Sequence, residues 1–261
     1  MRSEPQGNAD ARVNYHWDWT IFWDPSPDGI HTYLQTLLLG AGWTLSTAGC
    51  AWIIAFVLGS LVGVLRTTPF PWVVRLGNAY VELFRNIPLL VQLFLWYFVM
   101  PEVVPRGFGN WLKQLPNASF YTAVVGLGLY MSARVAEQVR AGTLSLPRGQ
   151  RLASLALGLT LPQTYVYVLL PMTYRIILPP LTSELLNTIK NSAVALTIGL
   201  MELTARARAM QEFSFQVFEA FTAATFIYIV INIVVTFAMR LIEHHVAVPG
   251  YLSFKAPAAG H

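Results

Sequence analysis

The chain has 261 residues, of which 55% are hydrophobic and only 11% are charged, and its formal net charge is +4. A water-soluble domain usually carries about 25% charged residues. This composition therefore excludes a water-soluble globule of this size and points to lipid as the solvent. The basic residues are scattered, so the net charge indicates membrane topology rather than nucleic-acid binding. The single cysteine, Cys50, excludes an internal disulfide and a cysteine-rich metal site.

The N-terminal segment, residues 1–33, is predicted to lie in the periplasm or at the membrane surface. Its first fifteen residues are polar and lack the apolar core of a signal peptide, so we expect the chain to enter the membrane by its own helices. Aromatic side chains follow that are typical of an anchor at the membrane–water interface. They are Trp17, Trp19, Phe22 and Trp23.

Long gaps between charged residues predict the membrane-spanning helices, because a span needs about 20 largely apolar residues. Three spans are predicted at about 34–65, 118–139 and 217–241. Residues 70–100 are predicted to form one long helix, polar in its first half, with a kink near Asn86–Pro88.

The fifth predicted span runs from Pro162 to about Thr188 and carries prolines and charges, so it should face protein or a water-filled path. The apolar stretch from Asn191 to Met201 is too short to span, and a short or re-entrant helix is predicted there. We therefore expect an all-α integral membrane protein with about five transmembrane helices. Its transmembrane domain is predicted over 34–245, and its cytoplasmic tail over 246–261.

Residues 143–165 indicate two short helices that meet at a sharp turn. Pro147 suits a helix start, and Gly158 suits a helix end. Thr160 followed by Gln163 forms a capping box, with Pro162 in the first turn of the next helix. The segment is expected to form a rigid knob at the membrane surface. The Arg-rich residues 134–151 favour the cytoplasmic side for it, with the N-terminus outside and the C-terminus inside.

The pattern of Ala153, Gly158 and Leu170–Pro171 resembles the cytoplasmic loop of ATP-binding-cassette importer permeases. In that family the knob is the coupling helix, which docks into a groove on the ATPase. The name-giving Glu-Ala-Ala of that loop is replaced here by Leu152-Ala153-Ser154, so an acidic contact at position 152 is absent.

Further blocks resemble the polar amino-acid (histidine/glutamate) permeases, and most closely the glutamate/aspartate permeases of Gram-negative bacteria. The resemblance covers roughly residues 34–245 and implies a type I ABC importer permease fold. The blocks are Ala51–Phe56, Tyr80–Gln92, Arg134–Gly142, Ser145–Gln150, Leu157–Gln163, Leu178–Glu184, Lys190–Ser192 and Ile198–Gly199.

The resemblance implies the partners. These are a second permease subunit of similar fold, in a heterodimer or homodimer, two cytoplasmic ATPase subunits, a periplasmic amino-acid-binding protein and membrane lipid. None of the three lysines follows a glycine, so the chain cannot build the phosphate-binding loop of a nucleotide site. ATP and Mg are therefore expected to bind the partner ATPase. This chain is predicted to be no enzyme and to hold no cofactor and no metal.

The sequence predicts two sets of functional-site residues. The first set is predicted to couple to the ATPase: Ala153, Gly158, Leu159, Thr160, Leu161, Pro162 and Gln163. The second set is predicted to line the substrate pathway: Arg85, Pro88, Gln92, Glu184, Lys190 and Ser192. Two alternatives stay open for the charges in it. Arg85 can instead form an ion pair with Glu82, and Lys190 can instead extend to water at a helix end.

The function predicted on these grounds is the import of a polar amino acid, glutamate or aspartate, across the bacterial inner membrane by alternating access. Another polar amino acid such as glutamine is an alternative substrate. A self-contained transporter driven by an ion gradient is a second alternative. It predicts internal repeats, of which the sequence shows none, and carboxylates deep in the bundle, of which it shows few. A membrane assembly factor is a third, and it leaves the coupling turn unexplained.

Overall fold

The computed structural model describes residues 15–246, so the predicted tail lies outside the described residues apart from Val246. Every regular element in the described range is helical, and one isolated antiparallel bridge joins Pro25 to Thr32. The predicted all-α class is confirmed.

The helices are labelled α1 to α9 in chain order. They are α1 (Tyr33–Leu65), α2 (Pro71–Asn86), α3 (Leu89–Val103), α4 (Arg106–Gln114), α5 (Ala118–Ser145), α6 (Arg148–Ala156), α7 (161–191), α8 (Leu203–Ser214) and α9 (Val217–Val246). Two short 3₁₀ helices, Trp19–Trp23 and Ser192–Ile198, complete the described secondary structure.

Two of these helices, α1 and α9, are long and apolar enough to cross a membrane by length and composition alone. The bent pair of α2 and α3 can make a third crossing. Helix α5 has 28 residues, or about 42 Å at ~1.5 Å per residue, but it carries charges such as Arg134 in its middle. Helix α7 likewise carries Arg175 and Glu184. Both can cross only with these side chains facing protein or water.

The prediction of one continuous helix over 70–100 is wrong, because α2 and α3 meet at 99°. Ile87 is extended (φ −98°, ψ 126°), as expected for a residue that precedes a proline. Pro88 has no N–H and begins the new helix direction. The Gln92 amide donates to the carbonyls of Phe84 and Ile87, at 2.8 and 2.9 Å, which would otherwise lack partners at the break.

A wide π turn precedes a proline in two helices. In α3 the π turn Leu95–Val99 ends two residues before Pro101, and in α7 the π turn Thr164–Leu169 ends two residues before Pro171. A proline inside a helix cannot donate to the carbonyl four residues back and collides with it. The widened turns relieve this conflict, so α7 keeps its helical course from the elbow into the bundle.

Helices α1 and α5 pack closely along their second halves, where glycines of α1 face α5. A Cβ at Gly59 would lie 2.6 Å from the Ser132 carbonyl and from Val135 Cβ, and one at Gly63 would meet Val139. Both helices therefore end at the same end of the bundle, where α6 and the start of α7 lie. We call this end the elbow end.

The opposite end is held by the N-terminal segment, which packs on the start of α9. The Tyr15 hydroxyl and the Asp18 N–H, at 2.8 Å, both donate to the fully buried Glu219. Trp17, Trp19 and Trp23 are all more than half exposed, and the first two rings stack. Exposed aromatic rings at a helix entry are compatible with the predicted interfacial anchor. We call this end the strap end.

The predicted short helix after Asn191 is confirmed as the 3₁₀ helix Ser192–Ile198, with Ile198 buried in the core. Glu202 follows it, fully buried, and caps α8 by accepting the N–H groups of Thr204 and Ala205. Tyr228 of α9 also donates to Glu202, at 2.9 Å. One carboxylate thus joins the end of this segment to α8 and α9.

Candidate functional site

The sharp turn between α6 and α7 sits at Gly158, in the left-handed conformation with φ +85°. The N–H of Leu159 donates to Ser154 O at 3.1 Å, and the N–H of Gly158 donates to Leu155 O at 3.0 Å. This pair of hydrogen bonds is the Schellman motif, which ends a helix and usually requires glycine at this position. The predicted sharp turn at Gly158 is confirmed.

The start of α7 is fixed by Thr160 and Gln163. Gln163 Oε1 accepts from the Thr160 N–H at 2.8 Å and from the Thr160 hydroxyl at 2.9 Å. Pro162 lies in the first turn, where its missing N–H costs nothing. The predicted capping box is therefore present. The end of α6 and the start of α7 are both capped by residues of the turn between them. Local hydrogen bonds therefore fix the angle between α6 and α7.

A hydrogen bond that the sequence did not reveal crosses this angle. Ser154, in α6, is buried at 3% exposure, and its hydroxyl donates to Oγ1 of the fully buried Thr164 in α7 at 3.1 Å. Ser154 stands where the family pattern has its second alanine. The departure from the pattern thus supplies a contact between the two helices. We call residues 145–165 the elbow.

The elbow exposes an apolar face to its surroundings. Leu152, Leu155 and Leu157 are 66%, 41% and 83% exposed. The residues predicted to couple to the ATPase differ in their exposure to solvent. Ala153, Gly158, Thr160, Pro162 and Gln163 are exposed, whereas Leu159 and Leu161 are half-buried. Large exposed leucines at a helix end that is not apolar enough to insert into lipid indicate a protein-binding surface.

The elbow is fastened to α1 through Tyr165. Its hydroxyl lies 2.8 Å from Thr67 O, to which it donates, in the loop just after α1. The ring is buried in a small cluster with Leu146 and Leu169. A displacement of the elbow must therefore move the end of α1 with it.

Just beyond the elbow, α7 is also fastened to α5. Gly142 packs so closely on Ile177 and Thr173 that a side chain there has no space. At the adjacent residue, Thr143 Oγ1 and Thr173 Oγ1 lie 3.2 Å apart in a buried hydrogen bond. Helices α1, α5 and α7 are thus packed against one another next to the elbow.

Arg85 pairs with Glu137 of α5 and not with Glu82, so the ion pair considered from the sequence is wrong. Arg85 Nη1 lies 3.1 Å from Glu137 Oε1. The same oxygen accepts from Nη2 of the buried Arg66 at 2.9 Å, and Arg66 Nε donates to Asn78 Oδ1 at 2.8 Å. We call Arg66, Arg85 and Glu137 the arginine clamp. It joins α1, α2 and α5 near the elbow end.

Three predicted pathway residues are buried by contacts within the chain. Gln92 supports the break between α2 and α3, as described above. Glu184 is 6% exposed and accepts from Arg134 Nε at 2.7 Å. Ser192 is 1% exposed, and its hydroxyl donates to Ile189 O. These side chains hold the fold, and only Pro88, Arg85 and Lys190 of the predicted pathway set are exposed.

Lys190 opens onto a groove of about 630 Å³ along α9. The α9 side of this groove carries polar side chains at helical spacing, and Arg240 stands at one end of it. The lining residues of α9 are Thr225, Tyr228, Ile229, Asn232, Ile233, Thr236, Phe237 and Arg240. We call this the α9 groove. Sequence reasoning missed its polar side because only charges were counted, whereas the four-residue spacing of Tyr228, Asn232, Thr236 and Arg240 was the available signal.

Within the described range, no group of three or more His, Cys, Asp and Glu side chains comes together in a way that could hold a metal ion. The elbow and the α9 groove each carry residues of the predicted site sets. One helix joins them, since α7 begins in the elbow and carries Lys190 in its last turn.

Comparison with known proteins places this architecture in a group of transport proteins. The glutamate/aspartate import permease protein GltJ of Escherichia coli (strain K12) is 49% identical over 93% of this chain and 100% of its own length. The probable glutamine ABC transporter permease protein GlnM of Bacillus subtilis (strain 168) is 32% identical over 82% of this chain and 88% of its own length.

Solved structures agree on the fold. An amino acid ABC transporter crystallised with histidines matches with a TM-score of 0.69 and 29% identity, over 82% of this chain and 95% of that chain. The inward-facing MetNI methionine ABC transporter matches with a TM-score of 0.68 over 82% of this chain and 98% of that chain. Its sequence is 22% identical, so this match supports the fold only.

The family model described as the inner membrane component of binding-protein-dependent transport systems matches residues 55–248. This range includes the elbow, the arginine clamp and the α9 groove. The chain therefore belongs to the family of inner membrane components of binding-protein-dependent transport systems.

Proposed function

We propose that this chain is the permease subunit of an ATP-driven importer that carries glutamate or aspartate across the inner membrane. The observation that carries the proposal is the elbow: a capped, internally hydrogen-bonded knob with exposed leucines, packed against α1, α5 and α7. The 49% identity to a glutamate/aspartate permease over 93% of the chain supports the substrate. Glutamine is the second candidate substrate, supported by the relatives named as glutamine permeases.

In the proposed mechanism the elbow docks into a separate ATPase subunit, which binds ATP and Mg. The exposed residues Leu152, Leu155 and Leu157 would enter an apolar groove of that partner. When the ATPase subunits close, the elbow moves as a rigid body because Ser154 and Thr164 bind its two helices together. The motion passes to α1 through Tyr165 and to α5 through the Gly142 contact.

The rest of the proposed assembly follows from the shape of one chain. A single bundle offers one wall of a pathway, so a second permease subunit of similar fold would complete it. A periplasmic binding protein would deliver the amino acid at the strap end. This arrangement puts the elbow end and the C-terminus in the cytoplasm and the N-terminus in the periplasm. Alternating access would then open the pathway to each side in turn.

Co-purification tests the proposal. The chain should purify with a stoichiometric ATPase subunit from cells that express the complete transporter. Leu157→Asp, which puts a charge on the most exposed leucine of the elbow, should remove the ATPase from the complex because a carboxylate is costly to bury in an apolar groove. Ile30→Asp is the matched control, since Ile30 is 81% exposed at the strap end.

The control should retain the ATPase and transport. If Leu157→Asp retains both at the parental level, the elbow is not the docking surface. If no ATPase accompanies the parental chain, the proposal of an ATP-driven importer is wrong. Import of labelled glutamate, aspartate and glutamine by reconstituted vesicles then identifies the substrate.

A further inference from the structure

The α9 groove carries two cations without an acidic partner. Neither Lys190 nor Arg240 forms an ion pair or a side-chain hydrogen bond with any residue between 15 and 246. By contrast, Arg134 of α5 is paired with Glu184 of α7. An unpaired charge within or beside a transmembrane helix is expensive unless it faces water or a ligand, and it marks a functional site.

The acid nearest to Arg240 in the chain, Glu243, forms no ion pair with it. Glu243 lies one turn further along α9, but its Oε1 accepts from the Thr182 hydroxyl of α7 at 2.8 Å. This hydrogen bond also fixes how α7 and α9 align, because the two helices run antiparallel. Lys190 lies eight residues beyond Thr182, whereas Arg240 lies three residues before Glu243.

That alignment sets the distance between the two cations along the groove. Along the direction of the helices, Lys190 lies eight residues and Arg240 three residues from the Thr182–Glu243 contact, on the same side of it. Their backbone positions therefore differ by five residues, which is about 8 Å at ~1.5 Å per residue. Both side chains are long and flexible, so their charged ends can approach two anionic groups that lie closer together than this. The polar side chains Asn232 and Thr236 lie on the stretch of α9 between Tyr228 and Arg240.

Hydrogen bonds already made in the groove further limit what can bind. Asn232 Nδ2 and Thr236 Oγ1 each donate to the carbonyl four residues earlier, both at 2.7 Å, so the amide and hydroxyl are oriented by their own helix. Their oxygens remain available as neutral acceptors in the lining of the groove. The groove thus combines two cations with neutral acceptors. This combination fits a ligand that has two negative groups and one positive group.

We infer that the α9 groove is a binding site for a dicarboxylic amino acid, in which Lys190 and Arg240 each receive one carboxylate. The inference rests on the proposed function and adds Arg240 and the polar face of α9 as determinants of specificity. A neutral amino acid such as glutamine satisfies one cation and leaves the other unpaired, so the groove selects against it. Charge-assisted hydrogen bonds to both carboxylates supply the preference for an acidic substrate.

The test uses the complete transporter in proteoliposomes with its binding protein, and it measures glutamate imported and phosphate released in the same vesicles. Lys190→Gln and Arg240→Gln should each lower glutamate import per ATP by about tenfold, the usual scale for the loss of one charge-assisted hydrogen bond. ATP hydrolysis stimulated by the binding protein should stay near the parental rate. Lys190→Arg, which keeps the charge, should restore most of the import.

Arg208→Gln is the matched control, because Arg208 is an exposed arginine of α8 that is paired with Glu212 and lies outside the groove. It should leave import per ATP unchanged. Parental import per ATP in both Lys190→Gln and Arg240→Gln would overturn the inference. Loss of the second permease subunit from these two variants would overturn it as well, since the cations would then bind an acidic side chain of that subunit. A parental complex that hydrolyses ATP but imports no acidic amino acid would instead refute the proposed function.

Discussion

Ser154 and Thr164 face each other across the elbow, and the Ser154 hydroxyl donates to Thr164 Oγ1 at 3.1 Å in a buried position. This bond joins the last helix turns of α6 to the first turns of α7. The exposed leucines of the elbow and the bundle-facing side of α7 therefore move together. The relationship explains how a serine can occupy a position where the family pattern has alanine.

Ser154→Ala is expected to destabilise the elbow. The change removes the hydroxyl that contacts both Thr164 Oγ1 and Arg151 O, so the free energy of unfolding should fall by about 1 kcal/mol. Combination with Thr164→Val should cost less than the sum of the two single changes, because both remove the same contact. Thermal unfolding of the purified complex measures this. Ser119→Ala, at a half-buried serine of α5, is the control, and full additivity of the double variant would contradict the prediction.

Gly158→Ala is expected to impair coupling because residue 158 holds a left-handed conformation, at φ +85° with open space around it. An L-residue other than glycine costs about 1–2 kcal/mol there. Glutamate import per ATP should therefore fall, and Gly158→Asn should be milder than Gly158→Ala. Gly149→Ala is a matched control on the same segment, with open space and an ordinary backbone. Equal coupling in Gly158→Ala and Gly149→Ala would show that the turn is unimportant.

Glu137→Gln is expected to weaken the arginine clamp. It leaves Arg66, whose side chain is 6% exposed, without its counter-charge, and it also releases Arg85. Because Glu137 itself is 30% exposed, we expect a loss of about 2 kcal/mol rather than the larger cost of a fully buried pair. Lys113→Gln breaks the exposed pair with Glu102 and should cost under ~1 kcal/mol. Comparable melting temperatures for the two variants would contradict the clamp.

Gly59→Ala is expected to separate α1 from α5. The added Cβ would lie 2.6 Å from the Ser132 carbonyl and from Val135 Cβ, so one helix must shift at a cost of about 1–3 kcal/mol. Gly49→Ala on the same helix meets nothing within 4 Å and serves as the control. Thermal unfolding distinguishes them. A Gly59→Ala variant as stable as Gly49→Ala would mean that the helices do not touch here.

Local features of the elbow were predictable from the sequence because they depend on residues a few positions apart. The turn at Gly158 follows from the left-handed preference of glycine, and the start of α7 follows from Thr160 and Gln163. The bend at Pro88 was located correctly, but its size was not. Whether a proline kinks a helix or ends it depends on the contacts on either side, here the Gln92 amide bonds.

The partners of the charged side chains were not predictable in the same way. Glu82 lies three residues from Arg85 on one helix, yet Arg85 binds Glu137, fifty-two residues away. The angle between α2 and α5 decides this, and the angle is a property of packing. The polar face of α9 was visible as a four-residue spacing, but its position opposite Lys190 depends on the alignment of α7 and α9.

The sequence by itself determined that this chain resides in lipid, where its long apolar stretches run, and where α6 turns into α7. These follow from composition and from short-range backbone preferences, which act within one helix. Only the tertiary structure decided that α2 and α3 meet at 99°, that Arg66 and Arg85 share Glu137, and that Lys190 and Arg240 open onto one groove. Such relationships join residues far apart in the chain, and they are fixed by how whole helices pack.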